Sequence, residues 1–192
     1  MMRSILIGIL AVMAVGVGLL TFQWYQKQSS GEAFGVPFEL VDQDGNPITE
    51  AAFRGGPRVV FFGFTHCPEV CPTTLFELDG YLEELGDEAA DIKPYFVSID
   101  PERDTPEVMK TYLSNFSDRI TGITGDPEKV AAMAKGFSIY VRKVELEDGD
   151  YTMDHTASIL LLDSDGDFFG TIAYEENSET AIAKLKRLAN ET

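Results

Sequence analysis

The sequence predicts an α/β domain, a sheet with helices on its faces, carried behind an N-terminal apolar segment. Three observations point there. A continuous apolar run of strand length, Arg58 to Phe64, reads as a buried central strand. Stretches of strand length alternate with stretches of helical periodicity after it, the pattern of a layered α/β fold. Ahead of all this, Ser4 to Phe22 contains no charged side chain and approaches the ~20 residues that cross a bilayer as a helix.

The N-terminal segment comes first. Trp24 and Tyr25 follow the apolar run where interfacial aromatic residues belong. Arg3 and the amino terminus place positive charge before it, which orients the remainder of the chain outward. The run is longer than a signal-peptide core, and no small-x-small cleavage site follows closely, so a retained anchor over residues 1–25 is expected. Residues 26–33, polar and containing Ser29, Ser30 and Gly31, read as a tether. Residues 34–192 form the folded domain.

The domain opens with a short hairpin, Phe38 to Val41 and Ile48 flanking an Asp44-Gly45 turn. After the Arg58–Phe64 strand, Leu75, Leu78, Leu82 and Leu85 recur at helical spacing. Pro94 to Asp100 is the next strand. Thr105-Pro106 starts a helix with a capping residue and a first-turn proline. Ile120 to Ile123 is a short strand and Pro127 to Phe137 a helix. Thr156 to Leu162 and Phe168 to Ala173 flank the Asp165-Gly166 turn as a hairpin, and a last helix covers about Ser178 to Ala189. The Asp163 and Asp42 clusters begin like calcium loops but carry Phe168 and Pro47 where glycine is required, so both are turns.

Residues 1–32 hold Arg3 and Lys27 against Glu32, so the excess acid of a chain with net charge −17 lies wholly in the remainder. That surface repels nucleic acid and suits cations or a basic partner. No phosphate loop, dinucleotide fingerprint or nucleophilic serine motif is present.

The chemistry concentrates after Phe64, in Thr65-His-Cys67-Pro-Glu-Val-Cys71-Pro72, which holds both cysteines. The carboxyl end of a central strand is where open α/β sheets bind ligands. If the segment is helical, the two thiols share one face within disulfide range. A bridge closing so short a loop stabilises little, which leaves a redox dithiol or a soft-metal site. Redox domains of this general shape carry Cys-x-x-Cys and a proline before a later strand. Here the spacing is Cys-x-x-x-Cys, and Met153-Asp154-His155-Thr156 stands where that proline would be. Two thiolates and one imidazole suit copper(I) and accommodate copper(II) with an added ligand.

Three stretches carry a closer resemblance: Thr65 to Pro72, Ser98-Ile-Asp-Pro-Glu-Arg-Asp-Thr-Pro106, and Asp154-His155. The chain resembles the Sco (SenC) copper chaperones of cytochrome c oxidase assembly. The resemblance implies a thioredoxin-like fold with an N-terminal hairpin extension and copper on Cys67, Cys71 and His155. It also implies a role at the dinuclear copper site of oxidase subunit II, or at another copper-accepting membrane protein. The expectation is a metallochaperone with no catalytic residue, anchored by a single transmembrane helix in the cytoplasmic membrane with its domain in the periplasm. The alternative is a thiol-disulfide oxidoreductase, Cys67 and Cys71 forming its redox disulfide, that reduces the acceptor's cysteines. Either role needs a thiol reductant as a partner. Asp100 and Asp154 are candidate acceptors for orienting His155, Arg103 a partner for one of them, and His66 and Met153 are read as structural.

Overall fold

A computed structural model describes Met13, residues 16–18, Thr21, 34–147 and 149–190. The chain divides into two compact units, Met1–Glu32 and Ala33–Thr192. The expected anchor and tether lie almost wholly outside the described residues. Among the described residues no helix is long and apolar enough to cross a membrane.

The second unit is built on a seven-stranded sheet of order β2-β1-β5-β4-β3-β8-β9. Its strands are β1 (Glu39–Asp42), β2 (Pro47–Thr49), β3 (Arg58–Gly63), β4 (Lys93–Ser98), β5 (Thr121–Thr124), β8 (Ile159–Leu162) and β9 (Phe168–Ile172). The helices are α1 (Val70–Leu85), α2 (Pro106–Leu113), α3 (Pro127–Gly136) and α4 (Ser178–Asn190). Strand β3 pairs in parallel with β4 and antiparallel with β8, and all six of its residues are buried. That accounts for the apolar run after Arg58, since a strand covered on both faces has no polar side to show, while the buried Arg58 guanidinium donates to the Ala52, Pro57 and Arg54 carbonyls.

Local chemistry sets the element ends. Thr105 caps α2 by accepting the Val108 N–H, and Asp126 caps α3 by accepting from Glu128 and Lys129. In the β1–β2 turn Asp42 Oδ1 accepts the N–H groups of Asp44 and Asn46, each at 2.9 Å. Asp163 does the same for Asp165 and Asp167 between β8 and β9. Both carboxylates are engaged in closing turns, as the sequence indicates.

The two faces of β3 meet different layers. Phe62 packs on Phe137, which also touches Phe34 and Phe53. On the other face Phe61 packs on Phe96, and Phe96 on Tyr112 of α2. Helix α4 packs along α1 through a buried stripe of Ala181, Leu185 and Leu188.

One element departs from the sequence reading. Val141–Glu145 (β6) and Tyr151–His155 (β7) form an antiparallel hairpin that is its own two-stranded sheet. Sequence reasoning left residues 138–155 unassigned, because β6 is mostly charged and exposed and β7 is half-buried with an alternation too short to stand out.

Candidate functional site

The site forms where three segments meet: the carboxyl end of β3, the first turn of α1, and the base of the β6–β7 hairpin. Cys71 is fully buried and Cys67 half-buried, and both are free thiols. Across 84 residues of sequence, His155 Nε2 stands 3.8 Å from Cys71 Sγ. The fold therefore brings together the two cysteines and the distant histidine that the sequence singled out.

Cys67 is not on the helix. It lies in a turn closed by its own N–H donating to the Phe64 carbonyl at 3.2 Å, and α1 begins three residues later. The expectation of two thiols on one helical face is corrected accordingly: Cys67 sits ahead of the helix and acts as its cap. Its Sγ accepts the Cys71 backbone N–H at 3.3 Å, a role that Glu69, the residue before the helix, leaves vacant. Pro72 fits the first turn, where no N–H is required.

This arrangement makes the two thiols unequal. The Cys67 thiol is held down to about 4, chiefly by the hydrogen bond from the Cys71 side chain, which with contacts from His155 and the Cys71 N–H outweighs its partial burial. Cys71 is pushed strongly upward by that same hydrogen bond to Cys67 and by burial. The pair shares one proton, with the negative charge on the more exposed sulfur.

Strand β3 makes room for the buried sulfur. A Cβ on Gly63 would stand 2.8 Å from Cys71 Sγ and 2.6 Å from Phe96 Cε2. Glycine is what lets the helix lay Cys71 against the sheet.

His155 is oriented by the backbone. Its Nδ1 lies 2.9 Å from the Thr156 carbonyl, which can only accept, so Nδ1 carries a proton and Nε2 is the nitrogen turned to Cys71. The ring is flanked by Phe61 and Phe64 at 6.2 and 5.9 Å. Of the two carboxylates considered for this task, Asp154 is turned to Arg142. Asp100 is buried and accepts from Arg103 Nε at 2.5 Å and from the Tyr151 hydroxyl at 2.8 Å. Among the described residues no three His, Cys, Asp or Glu side chains stand as a ready-made metal cage.

His66 is half-exposed, its Nδ1 3.1 Å from the Thr65 hydroxyl and 3.9 Å from Asp104. Met153 packs against the core. The residue that sequence reasoning passed over is Asp104. Fully buried, it accepts from the Thr65 N–H and hydroxyl at 3.1 and 2.6 Å and from the Ser98 hydroxyl at 2.7 Å. Its own carbonyl takes the Thr124 hydroxyl at 2.6 Å. It thus ties the ends of three adjacent strands together and holds the entry to the Cys67 turn. The available signal was a carboxylate lying one residue before a cap threonine, inside a motif already noticed.

Comparison with known proteins agrees with this architecture. A family profile described as SCO1/SenC matches residues 26–190. The protein SCO1 homolog 1, mitochondrial, of Arabidopsis thaliana is 37% identical over 142 residues, 73% of this chain and 42% of that protein. A SCO2-like protein of Rickettsia felis is 33% identical over 201 residues, covering 96% of this chain and 98% of that one. The chain spans about half the length of the mitochondrial relatives from Arabidopsis and yeast, 42% and 52%. Among solved structures, Bradyrhizobium japonicum ScoI with copper bound superposes with a TM-score of 0.74 at 47% identity, covering 81% of this chain and 99% of that one. The expected thioredoxin-like α/β fold is the fold of these structures, and the chain belongs to the SCO1/SenC family.

Proposed function

We propose that this protein is a membrane-tethered copper carrier in cytochrome c oxidase assembly, taking copper(I) on Cys67, Cys71 and His155. The observation that carries the reading is the meeting of His155 Nε2 with the buried Cys71 thiol at 3.8 Å, beside a Cys67 sulfur already poised as thiolate. Two soft sulfurs and an imidazole nitrogen are a donor set for copper(I) that magnesium and calcium do not satisfy. Solved relatives with copper bound, including the ScoI protein of Bradyrhizobium japonicum, support the assignment of the metal.

The residues divide the work. Cys67, half-exposed and charged, makes first contact with incoming copper and is the first ligand an acceptor thiolate can displace. Cys71 gives up its proton on loading, so uptake releases protons and weakens as the solution becomes acid. His155 closes the third side with a nitrogen already turned inward, and small side-chain rotations complete the set. Copper(II) would need a further ligand.

Residues 1–25 would anchor the chain in the cytoplasmic membrane and 26–33 would tether the domain of residues 34–192 in the periplasm. That raises its effective concentration near subunit II of the oxidase or another membrane-bound acceptor. The full chain should then fractionate with membranes and be digested by protease added from the periplasmic side.

One observation favours a second reading, reduction of the acceptor's cysteines. A low-pKa, half-exposed sulfur beside a buried, protonated one is the asymmetry of a nucleophile and its resolving thiol. An anaerobic copper(I) titration against a competing chelator separates the two. Cys67→Ser, Cys71→Ser and His155→Ala should each weaken binding sharply, while His66→Ala should not. Unchanged affinity in His155→Ala would leave only the dithiol reading.

A further inference from the structure

The third ligand rides on an element that the main sheet does not hold. Strands β6 and β7 pair only with each other, and a two-stranded hairpin is marginal by itself. At its base, Thr156 N–H donates to the Tyr140 carbonyl and Tyr140 N–H to the Thr156 hydroxyl, each at 3.1 Å. What fixes the rest of the hairpin against the domain must be side-chain contact.

Val141 and Met153 pack against the core, and the polar part of the contact converges on Tyr151. Arg103 Cζ and Lys143 Nζ each lie 3.7 Å from the centroid of its ring. Its hydroxyl donates to Asp100 at 2.8 Å, and Arg103 Nη1 donates to its carbonyl at 3.0 Å and to the Asp150 carboxylate at 3.2 Å. Arg103 is itself locked to the buried Asp100, and Lys143 donates to Glu102 at 3.1 Å. Every one of these anchors belongs to Asp100–Arg103, the segment directly after β4, or to the hairpin. Arg103 Nη2 is buried without an oxygen or nitrogen partner, consistent with a guanidinium stacked on the ring face.

Tyr151, Met153 and His155 alternate along β7 and so share one face. A rotation of the hairpin about its base that freed Tyr151 would carry His155 with it. We propose that Tyr151 is a positioning residue: bracketed by Arg103 and Lys143 with its hydroxyl on Asp100, it holds the hairpin at the angle that presents His155 to Cys71. The inference deepens the copper-carrier reading and rests on His155 being a ligand there. It also assigns the Asp-Pro-Glu-Arg segment a task at the site without any contact to the metal.

The test is a double-mutant cycle on the full chain. Copper(I) affinity is measured by chelator competition, and the His155 imidazole signals of the apo protein are followed by NMR. Tyr151→Leu should weaken copper binding about tenfold, the scale of lost outer-shell support, and should shift the His155 signals. Tyr151→Phe, which keeps the ring between the two cations, should stay within about threefold of wild type. In a His155→Ala background Tyr151→Leu should cost nothing further. An equal loss in that background, or unmoved His155 signals in Tyr151→Leu, would overturn the proposal. Should Tyr151→Leu not fold, Lys143→Gln at a half-exposed site takes its place, with a smaller loss in the same direction expected and no loss overturning the idea. If His155→Ala alone leaves affinity unchanged while Tyr151→Leu still moves the imidazole signals, the ligand assignment fails and the positioning role stands.

Discussion

Gly63→Ala puts the sulfur's seat on β3 to a test in which even the sign is informative. Glycine in a strand interior is ordinarily a weakness, and replacing it by alanine without strain stabilises by about 0.4–1 kcal/mol. Here the new methyl would stand 2.6 and 3.2 Å from two Phe96 carbons and 2.8 Å from Cys71 Sγ. Relaxed carbon contacts lie near 3.5–4.0 Å, so the overlap is roughly 1 Å on two sides. Neither neighbour has open space to retreat into: both are fully buried, and Phe96 is wedged between Phe61 and Tyr112. Overpacking of this kind costs about 1–3 kcal/mol. For a domain of this size that is a fall in melting temperature of about 3–9 °C. The displaced element is the first turn of α1, so Cys71 should also draw away from His155 and copper affinity should fall about tenfold, as when a ligand's supporting contacts are lost. Thermal melting of the apo protein together with a chelator titration reads both effects. An alanine variant that melts at or above the wild type with unchanged affinity would refute the reasoning.

Three further outcomes follow from the electrostatics. Because the Cys67 thiol is held near 4 by the Cys71 hydrogen bond, iodoacetamide should modify Cys67 alone at pH 6, its rate falling only as pH drops through about 4; mass spectrometry showing Cys71 labelled first would contradict this. Burial holds the Asp104 carboxyl above its ordinary range against the downward pull of Thr65 and Ser98. A group so raised binds its proton more tightly when folded, so its stabilisation is complete below the ordinary carboxylate value and is lost as pH rises through the folded value. Asp104→Asn should therefore melt progressively closer to wild type, or above it, as pH rises from 4 to 7, and a pH-independent difference would remove the buried charge from the account. A Cys67–Cys71 disulfide would occupy both sulfurs, so oxidised protein should take up little copper(I) until reduced; equal uptake with the disulfide intact would mean that these cysteines are not ligands.

Much of this molecule is written locally. The Leu75–Leu85 periodicity, the Thr105 cap and the two aspartate turns each state their element without help from the rest of the chain, and each is found in place. The approach of His155 to the cysteines was legible only through its place ahead of the β8 strand, and the structure brings it to 3.8 Å. What escaped reading depends on distant partners. The β6–β7 hairpin carries too short an apolar alternation to stand out, and beside the core packing of Val141 and Met153 its support comes from Arg103, Lys143 and Asp100. Asp104 looks like one more surface carboxylate until Thr65, Ser98 and Thr124 converge on it. The position of Cys67 ahead of α1 is set by its bond to Phe64 and by its sulfur serving as the helix cap, a use of cysteine that cap preferences do not anticipate.

The central claim is the identity of the donor set, and X-ray absorption of the copper(I)-loaded protein measures it most directly. The account predicts two sulfur and one nitrogen scatterers around copper in the wild type, with the nitrogen lost in His155→Ala and kept in His66→Ala. A sulfur-only environment in the wild type, or a nitrogen shell that survives His155→Ala and disappears with His66→Ala, would contradict it.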